Sequence, residues 1–311
     1  MDFSHVPVLY SECLEGLNIK EDGIYVDGTL GGGGHSYGIG SKLGKTGRLI
    51  GIDRDTDAIK AAGQRLKGLE CRVDLIQSNY ADVKDVLKSL EVDGIDGALL
   101  DIGVSSYQLD NPERGFSYMH DAPLDMRMNR DESFSAYDVV NDYNEERLAE
   151  VIKTYGEERW ASRIAKFLVN SRRDKAIETT GELVDIIKAA IPASARRDGP
   201  HPAKRTFQAI RIEVNGELEQ LRQAVDEYCD VLKPGGRLCI ITFHSLEDRI
   251  VKEAFKRRLD PCTCPKNIPV CVCGKVADVR KVTGKPIVST GEELKDNPRA
   301  RSAKLRIIEK I

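Results

Sequence analysis

The sequence lacks the features that mark several large classes of protein. No apolar run approaches the roughly 20 residues needed to cross a bilayer as a helix, which argues against a membrane-spanning protein. Internal repeats and low-complexity tracts are missing too, so we expect a globular chain. The first residues contain no basic stretch followed by an apolar one, so we expect no secretory signal and a cytoplasmic location.

An excess of positive charge is also missing, since the formal net charge is −3. This balance argues against a protein covered with cations for nonspecific binding to nucleic acid, but it leaves room for a local basic face. Local basic clusters do occur, and no acid interrupts the one in 298–308. The 311 residues, of which 41% are hydrophobic and 31% charged, suit a globular enzyme with one large domain or two smaller ones.

A run of four glycines, at positions 31–34, is the most informative feature that is present. It follows a short apolar stretch, 24–26, that predicts a buried strand ending in Asp27. A backbone without side chains lets a ligand lie directly on it, and glycine adopts the positive φ values of a tight turn. A second predicted strand ends in Asp53, which follows Gly31 by 22 residues. This spacing is typical of a βαβ unit in which the acid binds the ribose hydroxyls of an adenosine-type cofactor.

Dinucleotide-binding oxidoreductases share such a loop, so the loop alone leaves an NAD-dependent Rossmann enzyme open. Asp27 precedes the glycines, where an anion would repel the pyrophosphate of NAD. A positively charged cofactor without phosphate, such as S-adenosylmethionine (SAM), would tolerate or prefer this carboxylate. The residues therefore favour SAM over NAD.

The order of predicted elements indicates an α/β protein with an insertion. Strand-length and helical patterns alternate up to about Gly103, which predicts a parallel sheet covered by helices. Helical patterns alone occupy 108–200, and the α/β pattern then resumes. We therefore predict a Rossmann-like domain from 1–107 and 201–311, and an inserted helical substrate-recognition domain at 108–200. The last predicted strand, 302–309, would pair antiparallel with 237–243.

Several strings resemble known methyltransferases. The glycine loop, Asp53, LLD at 99–101 and LKPGGRL at 232–238 resemble the motifs of class I SAM-dependent methyltransferases. More narrowly, the chain from about His5 to its end resembles the bacterial small-subunit rRNA cytosine-N4 methyltransferases of the RsmH (MraW) family. The strings that carry this resemblance are DIGVSS (101–106), RGFS (114–117), PLDMRM (123–128), KTYGEER (153–159), RTFQA (205–209), FHSLEDR (243–249) and NPRARS (297–302).

The resemblance implies a class I fold and methylation of the exocyclic N4 of one cytidine in the decoding region of 16S rRNA. It implies cofactor contacts from Gly33, Gly34, His35, Asp53, Tyr80, Asp101 and Gln108. The pattern of the glycine loop adds Asp27 and Gly31 to the candidate cofactor-binding residues. The predicted catalytic residues are Asp101, Ser105, Ser106 and His244. The alternatives without a functional role are helix capping by Asp101 or His35, a surface position for Tyr80 and simple burial of His244.

Asp101 ends the fourth predicted strand, where an acceptor for the N–H groups of the target amine would lie. DNA amino-methyltransferases carry an acid or Asn followed by Pro-Pro-aromatic at this place, and DIGVSS departs from that pattern. This departure counts against a DNA amino-methyltransferase, which is still the main rival among methyltransferases. A noncatalytic nucleic-acid-binding module is a weaker alternative. The aromatic residue that stacks the base is open among Tyr107, Phe116 and Phe243.

Four of the eight cysteines occupy one short proline-rich segment: Cys262, Cys264, Cys271 and Cys273. Four thiols so close together suit a structural zinc, although one intervening residue within each pair is fewer than is usual. Free thiols and a redox-labile pair are the alternatives. The other cysteines are scattered singly and predict small core residues.

The expected partner is 16S rRNA or the small ribosomal subunit, with no membrane, and a homodimer is left open. Basic residues of the helical insertion and of the C-terminal arm are candidates for contacts with RNA phosphates. They are Arg172, Arg173, Arg196, Arg197, Arg299 and Arg301.

Overall fold

A computed structural model describes residues 7–197, 199–265 and 270–311. Its strands are β1 (Ile24–Asp27), β2 (Arg48–Asp53), β3 (Arg72–Gln77), β4 (Ile95–Asp101), β5 (Leu232–Thr242), β6 (Val279–Lys281) and β7 (Lys304–Lys310). Its helices are α1 (Tyr10–Leu17), α2 (Gly34–Gly40), α3 (Thr56–Arg65), α4 (Val83–Ser89), α5 (Ser106–Asp110), α6 (Ala136–Asp142), α7 (Glu145–Gly156), α8 (Ala161–Ser171), α9 (Thr180–Ala190), α10 (Lys204–Asn215), α11 (Glu217–Val231), α12 (Ser245–Leu259) and α13 (Glu293–Asp296).

The strands form a seven-stranded sheet, among the described residues, in the order β3-β2-β1-β4-β5-β7-β6. The first five strands of this order are parallel, whereas β7 is antiparallel to both β5 and β6. The predicted antiparallel pairing of the last strand with β5 is confirmed. The ladder between β4 and β5 passes from Leu232 to Arg237, so the predicted turn at 233–236 bulges out of it.

The chain divides into two compact units, Met1–Gly103 with Leu218–Ile311, and Val104–Glu217. The first unit holds the sheet, and its core includes apolar side chains of the central strands such as Leu49, Leu99 and Ile241. These strands are nearly all apolar because helices cover both faces of a parallel sheet.

The second unit is helical, with a core of its own built by α6 to α10. Its bounds differ from the predicted 108 and 200, and its C-terminal end includes α10, which packs on α7 and α6. The strand β6 was not predicted, since three residues give no readable alternation. No helix in the described part of the chain is both long and apolar enough to span a membrane.

Candidate active site

Three carboxylates lie at the carboxyl edge of the sheet of the first unit. Asp27, Asp53 and Asp101 are the last residues of β1, β2 and β4. These strands are parallel neighbours with β1 in the middle, so their carboxyl ends meet at one edge. Ligands of open α/β sheets bind at this edge, where the strand order reverses. The fold therefore brings the predicted acids together.

Asp53 is joined directly to the glycine loop. Its carboxylate accepts the backbone N–H of Gly31 at 2.8 Å and that of Asp55 at 2.9 Å. Burial raises the pKa of Asp53 to about 6 against the opposing effect of these two hydrogen bonds. The loop and the acid thus form one polar surface at the end of β1 and β2.

Asp27 is buried behind the loop, with 1% of its surface exposed. It accepts the Ser36 hydroxyl at 2.6 Å and the backbone N–H of Thr29 at 3.2 Å. Burial raises its pKa to about 6, while these hydrogen bonds act in the opposite direction. Sequence reasoning missed Ser36, although a hydroxyl in the first turn after a glycine loop is a readable partner for a buried acid.

Asp101 is fixed through its backbone, whereas its carboxyl group has fewer hydrogen bonds than those of Asp27 and Asp53. Its N–H donates to the Thr29 hydroxyl at 2.6 Å, which ties the end of β4 to the loop. Among the described residues, Asp101 Oδ1 is buried without a hydrogen-bond partner. Burial, with the nearby charges of Asp27 and Glu247, raises the pKa of Asp101 to about 8.

His35 is the second residue of α2 and lies beside Asp101. Its Nε2 is 3.7 Å from Asp101 Oδ2, which is too long for a hydrogen bond. The ring is 6% exposed and stacks with Tyr10 at a centroid distance of 6.0 Å. Burial lowers the pKa of His35 to about 4. Burial therefore disfavours the charged form of both groups, the His35 imidazole and the Asp101 carboxyl group.

Two glycines along this edge leave space beside the backbone. Gly31 has φ +49°, and among the described residues a Cβ there would meet only the carbonyl oxygen of Thr29, at 3.9 Å. Gly103 has φ +126°, a conformation that residues with a side chain rarely adopt, and within the described part of the chain a Cβ there would meet only the Phe243 ring, at 3.6 Å. Gly33 precedes α2 and Gly34 opens it. The open space above Gly31, the nearby acids and the unpartnered Asp101 oxygen suit a cationic adenosine-type cofactor without phosphate.

Tyr80 opens a short 3₁₀ helix, Tyr80–Asp82, directly after β3. Its side chain is half-buried. The turn is fixed by Asn79, whose side chain accepts the N–H of Ala81 at 3.0 Å. Tyr80 therefore follows the carboxyl end of β3, and its role beside adenine remains a prediction.

Three predicted site residues, Ser105, Ser106 and Gln108, belong to the second unit. Ser105 and Gln108 form a capping box at the start of α5: the Ser105 hydroxyl accepts the Gln108 N–H at 3.2 Å, and the Gln108 side chain accepts the Ser105 N–H at 3.1 Å. Ser106 is the first residue of α5 and is half-buried. The structure thus gives Ser105 and Gln108 a local structural role, and their functional roles remain predictions.

The base-stacking candidates differ in their surroundings. Phe116 belongs to the core of the second unit with 6% exposure, so that interpretation was wrong for Phe116. Tyr107 is half-buried within α5. Phe243 directly follows β5 in the first unit, packed partly against the core there.

His244 caps α12 and contacts a carboxylate that sequence reasoning missed. Its Nδ1 accepts the Glu247 N–H at 3.4 Å, and its Nε2 lies 3.0 Å from Glu247 Oε1. The Glu247 side chain is 1% exposed. The spacing of a polar N-cap and a Glu three residues later is the capping-box signal, here with His in place of Ser or Thr.

The four clustered cysteines converge in the structure. Their sulfur atoms all lie within 4.8 Å of one another. Cys271 Sγ is 3.6 Å from that of Cys262, 3.8 Å from that of Cys264 and 3.4 Å from that of Cys273. Zinc–sulfur bonds of about 2.3 Å in a tetrahedron place the sulfurs about 3.8 Å apart. The donor set and spacing therefore fit a tetrathiolate zinc site.

The sheet order with an antiparallel β7, the glycine loop after β1 and the acid after β2 define the class I SAM-dependent methyltransferase fold. Residues 2–311 match the model of the MraW methylase family. The chain is also 57% identical over 311 residues to the ribosomal RNA small subunit methyltransferase H of Clostridioides difficile (strain 630), and the match covers 100% of both chains. The protein therefore belongs to the MraW methylase family.

Two solved structures resemble the chain at much lower identity. An rRNA methylase of Streptococcus thermophilus is 12% identical with a TM-score of 0.43, over 100% of this chain and 99% of that one. A Streptococcus mutans protein in complex with SAH is 11% identical with a TM-score of 0.44, over 99% of this chain and 100% of that one.

Proposed function

We propose that this protein transfers the methyl group of SAM to the exocyclic N4 amine of one cytidine in the decoding region of 16S rRNA. Membership of the MraW family and the name of its Clostridioides difficile relative support the RNA substrate. The observation that carries the chemistry is the Asp101 carboxyl group, which ends β4 beside the glycine loop with one oxygen unpartnered among the described residues.

The glycine loop and its acids would hold the cofactor. SAM would supply an electrophilic methyl group on a sulfonium. Asp53 is placed to accept the ribose hydroxyls, as acids at the end of the second strand do in such βαβ units. Asp27 and Asp101 would provide negative charge near the cationic part of the cofactor. We propose a covering role for Tyr80 at the adenine.

Asp101 would act on the acceptor amine. The nitrogen lone pair of cytosine N4 is delocalised into the ring, so the free amine is a weak nucleophile. A carboxylate that accepts its N–H would draw the nitrogen towards a pyramidal geometry and stabilise the positive charge that develops there. Asp101 must be ionised to do so, and a bound cation beside it would lower its raised pKa. His35, neutral and buried, would limit the access of water to this carboxyl group.

The family assignment removes one of the alternatives raised by the sequence. It excludes the NAD-dependent oxidoreductase, because the family is one of methylases. A DNA amino-methyltransferase is the alternative that experiment must distinguish from the rRNA enzyme.

The exposed Arg196 and Arg197 of the second unit remain proposed contacts for RNA phosphates. The homodimer stays an untested prediction.

We also propose that Cys262, Cys264, Cys271 and Cys273 bind one structural zinc ion. The distances between their sulfurs are the support. The cysteines lie between α12 and β6, so a bound ion would hold their four side chains together.

The experiment is a methyl-transfer assay with labelled SAM and three acceptors: deproteinised 16S rRNA, small ribosomal subunits and duplex DNA. We expect label in one or both of the ribosomal substrates and none in DNA. Asp101→Asn should lower turnover more than it lowers SAM affinity, because the charge acts mainly as the transition state develops. Labelling of DNA alone, or wild-type turnover by Asp101→Asn, would overturn the proposal.

A further inference from the structure

The carboxyl end of β5 lies next to Asp101 in the sheet. Asp101 lies opposite Ile241 in the ladder between β4 and β5, and the Ile102 N–H donates to the Ile241 carbonyl at 3.0 Å. The residues that follow each strand therefore leave the sheet side by side. Phe243 follows β5, and Gly103 follows β4.

The Phe243 ring lies against Gly103. Its Cδ2 is the one heavy atom within 4 Å of where a Gly103 Cβ would be, at 3.6 Å, among the described residues. The Phe243 side chain is half-buried and packs against the core of the first unit. A partly exposed aromatic ring beside Gly103, two residues after Asp101, is the kind of surface on which planar groups stack.

A buried carboxylate fixes the backbone that carries this ring. Glu247 Oε2 accepts the N–H of Phe243 at 2.7 Å and that of His244 at 3.2 Å. Its other oxygen, Oε1, lies 3.0 Å from His244 Nε2. Both backbone donors after β5 are therefore bound by one side chain that has almost no contact with solvent.

Helix capping alone does not require this burial. The capping box of α9 places Glu182 at the same helical position, where it accepts the Thr179 N–H at 3.2 Å. The Glu182 side chain is 37% exposed, against 1% for Glu247. Burial of a carboxylate costs free energy unless hydrogen bonds or charges compensate for the lost water. The buried Glu247 of the α12 capping box therefore has a desolvation cost that the exposed Glu182 of the α9 capping box does not have.

We propose that Phe243 is the surface on which the acceptor base stacks, and that Glu247 is the positioning residue that holds it beside Asp101. This inference rests on the proposed transfer to a nucleobase and names the residues that orient that base. Stacking would present the edge of the base, with its exocyclic amine, towards the Asp101 carboxyl group. Base–aromatic stacking tolerates every base, so specificity for cytosine would come from hydrogen bonds at the edge.

The test is steady-state kinetics with the RNA acceptor, combined with SAM calorimetry and thermal unfolding for each variant. Phe243→Leu removes the aromatic face and should lower kcat/KM about 5- to 150-fold, with SAM affinity within about twofold of wild type. Phe243→Tyr keeps the face and should stay within about threefold of wild type.

Glu247→Gln keeps an oxygen for the backbone donors and removes the charge. It should lower kcat/KM, as Phe243→Leu does. The loss of kcat/KM in the double variant should be smaller than the product of the two single-variant losses. Glu182→Gln is the matched control at an exposed capping box and should leave kcat/KM unchanged.

Wild-type kcat/KM in a folded Phe243→Leu variant would overturn the stacking role. Equal losses for Phe243→Leu and Phe243→Tyr would also overturn it, because the face would then not be the feature that matters. Additive effects in the double variant would overturn the positioning role of Glu247. If the wild-type protein methylates no nucleic acid, the proposed function itself fails, and this result is distinct from the others.

Discussion

The Asp53 carboxylate accepts the backbone N–H of Gly31 at 2.8 Å, across 22 residues of sequence. This contact joins the end of β2 to the glycine loop after β1. It arises because β1 and β2 are adjacent and parallel, so that both carboxyl ends meet at one edge. The glycine loop and Asp53 therefore form one surface for an adenosine-type ligand.

Asp53→Ala should weaken SAM binding by roughly 10- to 150-fold, because charge-assisted hydrogen bonds to the ribose contribute about 1.5–3 kcal/mol. Calorimetric titration with SAM measures this directly. Glu70→Ala, which removes an exposed acid of the same unit, should bind as wild type does. Unchanged affinity in Asp53→Ala would contradict the assignment of the ribose site.

Asp101→Asn should stabilise the ligand-free protein at alkaline pH. The folded-state pKa of Asp101 is raised to about 8 from an ordinary value of 3.8, so ionisation opposes folding. Stability of the wild type is therefore lost progressively as pH rises from about 4 to about 8. The gain in Tm for Asp101→Asn should be largest above pH 8 and vanish near pH 4. A gain that does not depend on pH would show that this carboxyl group is not desolvated as described.

The cysteine cluster should bind about one zinc ion per chain. Elemental analysis of protein purified without chelator, under reducing conditions, measures the stoichiometry. Cys262→Ser should lose most of the metal, whereas Cys71→Ser, outside the cluster, should keep it. Absence of zinc from the wild-type protein would reject the site.

The pair Arg196→Ala and Arg197→Ala should weaken RNA binding and reduce its dependence on salt, because fewer phosphates are then neutralised. Binding measured across a series of salt concentrations gives the slope, and SAM affinity should not change. Lys42→Ala with Lys45→Ala removes two exposed cations of the first unit as a control. If the arginine pair behaves as this control does, the RNA contacts lie elsewhere.

The sheet was predictable because each central strand is an apolar run bounded by glycine or acid. The sequence also contained the α5 capping box, as Ser105 followed three residues later by Gln108, but that pattern was interpreted as a site. Competing interpretations of one short motif cannot be separated without the contacts of its side chains.

Other features depend on long-range packing. The aromatic ring of Phe116 looks the same in sequence whether it stacks a base or fills a core, and its burial decides the matter. The helix α10 is amphipathic in either unit, and only its packing on α7 assigns it to the second. Glu247 was missed because its importance lies in complete burial, which no local pattern reports.

The most direct test is to locate the transferred methyl group. 16S rRNA methylated by the purified protein with labelled SAM would be digested, and its modified nucleosides and fragments mapped by mass spectrometry. The proposed function predicts one N4-methylated cytidine in the decoding region, formed by the wild type and strongly reduced with Asp101→Asn. A methyl group on another atom, another nucleotide or another region would contradict it.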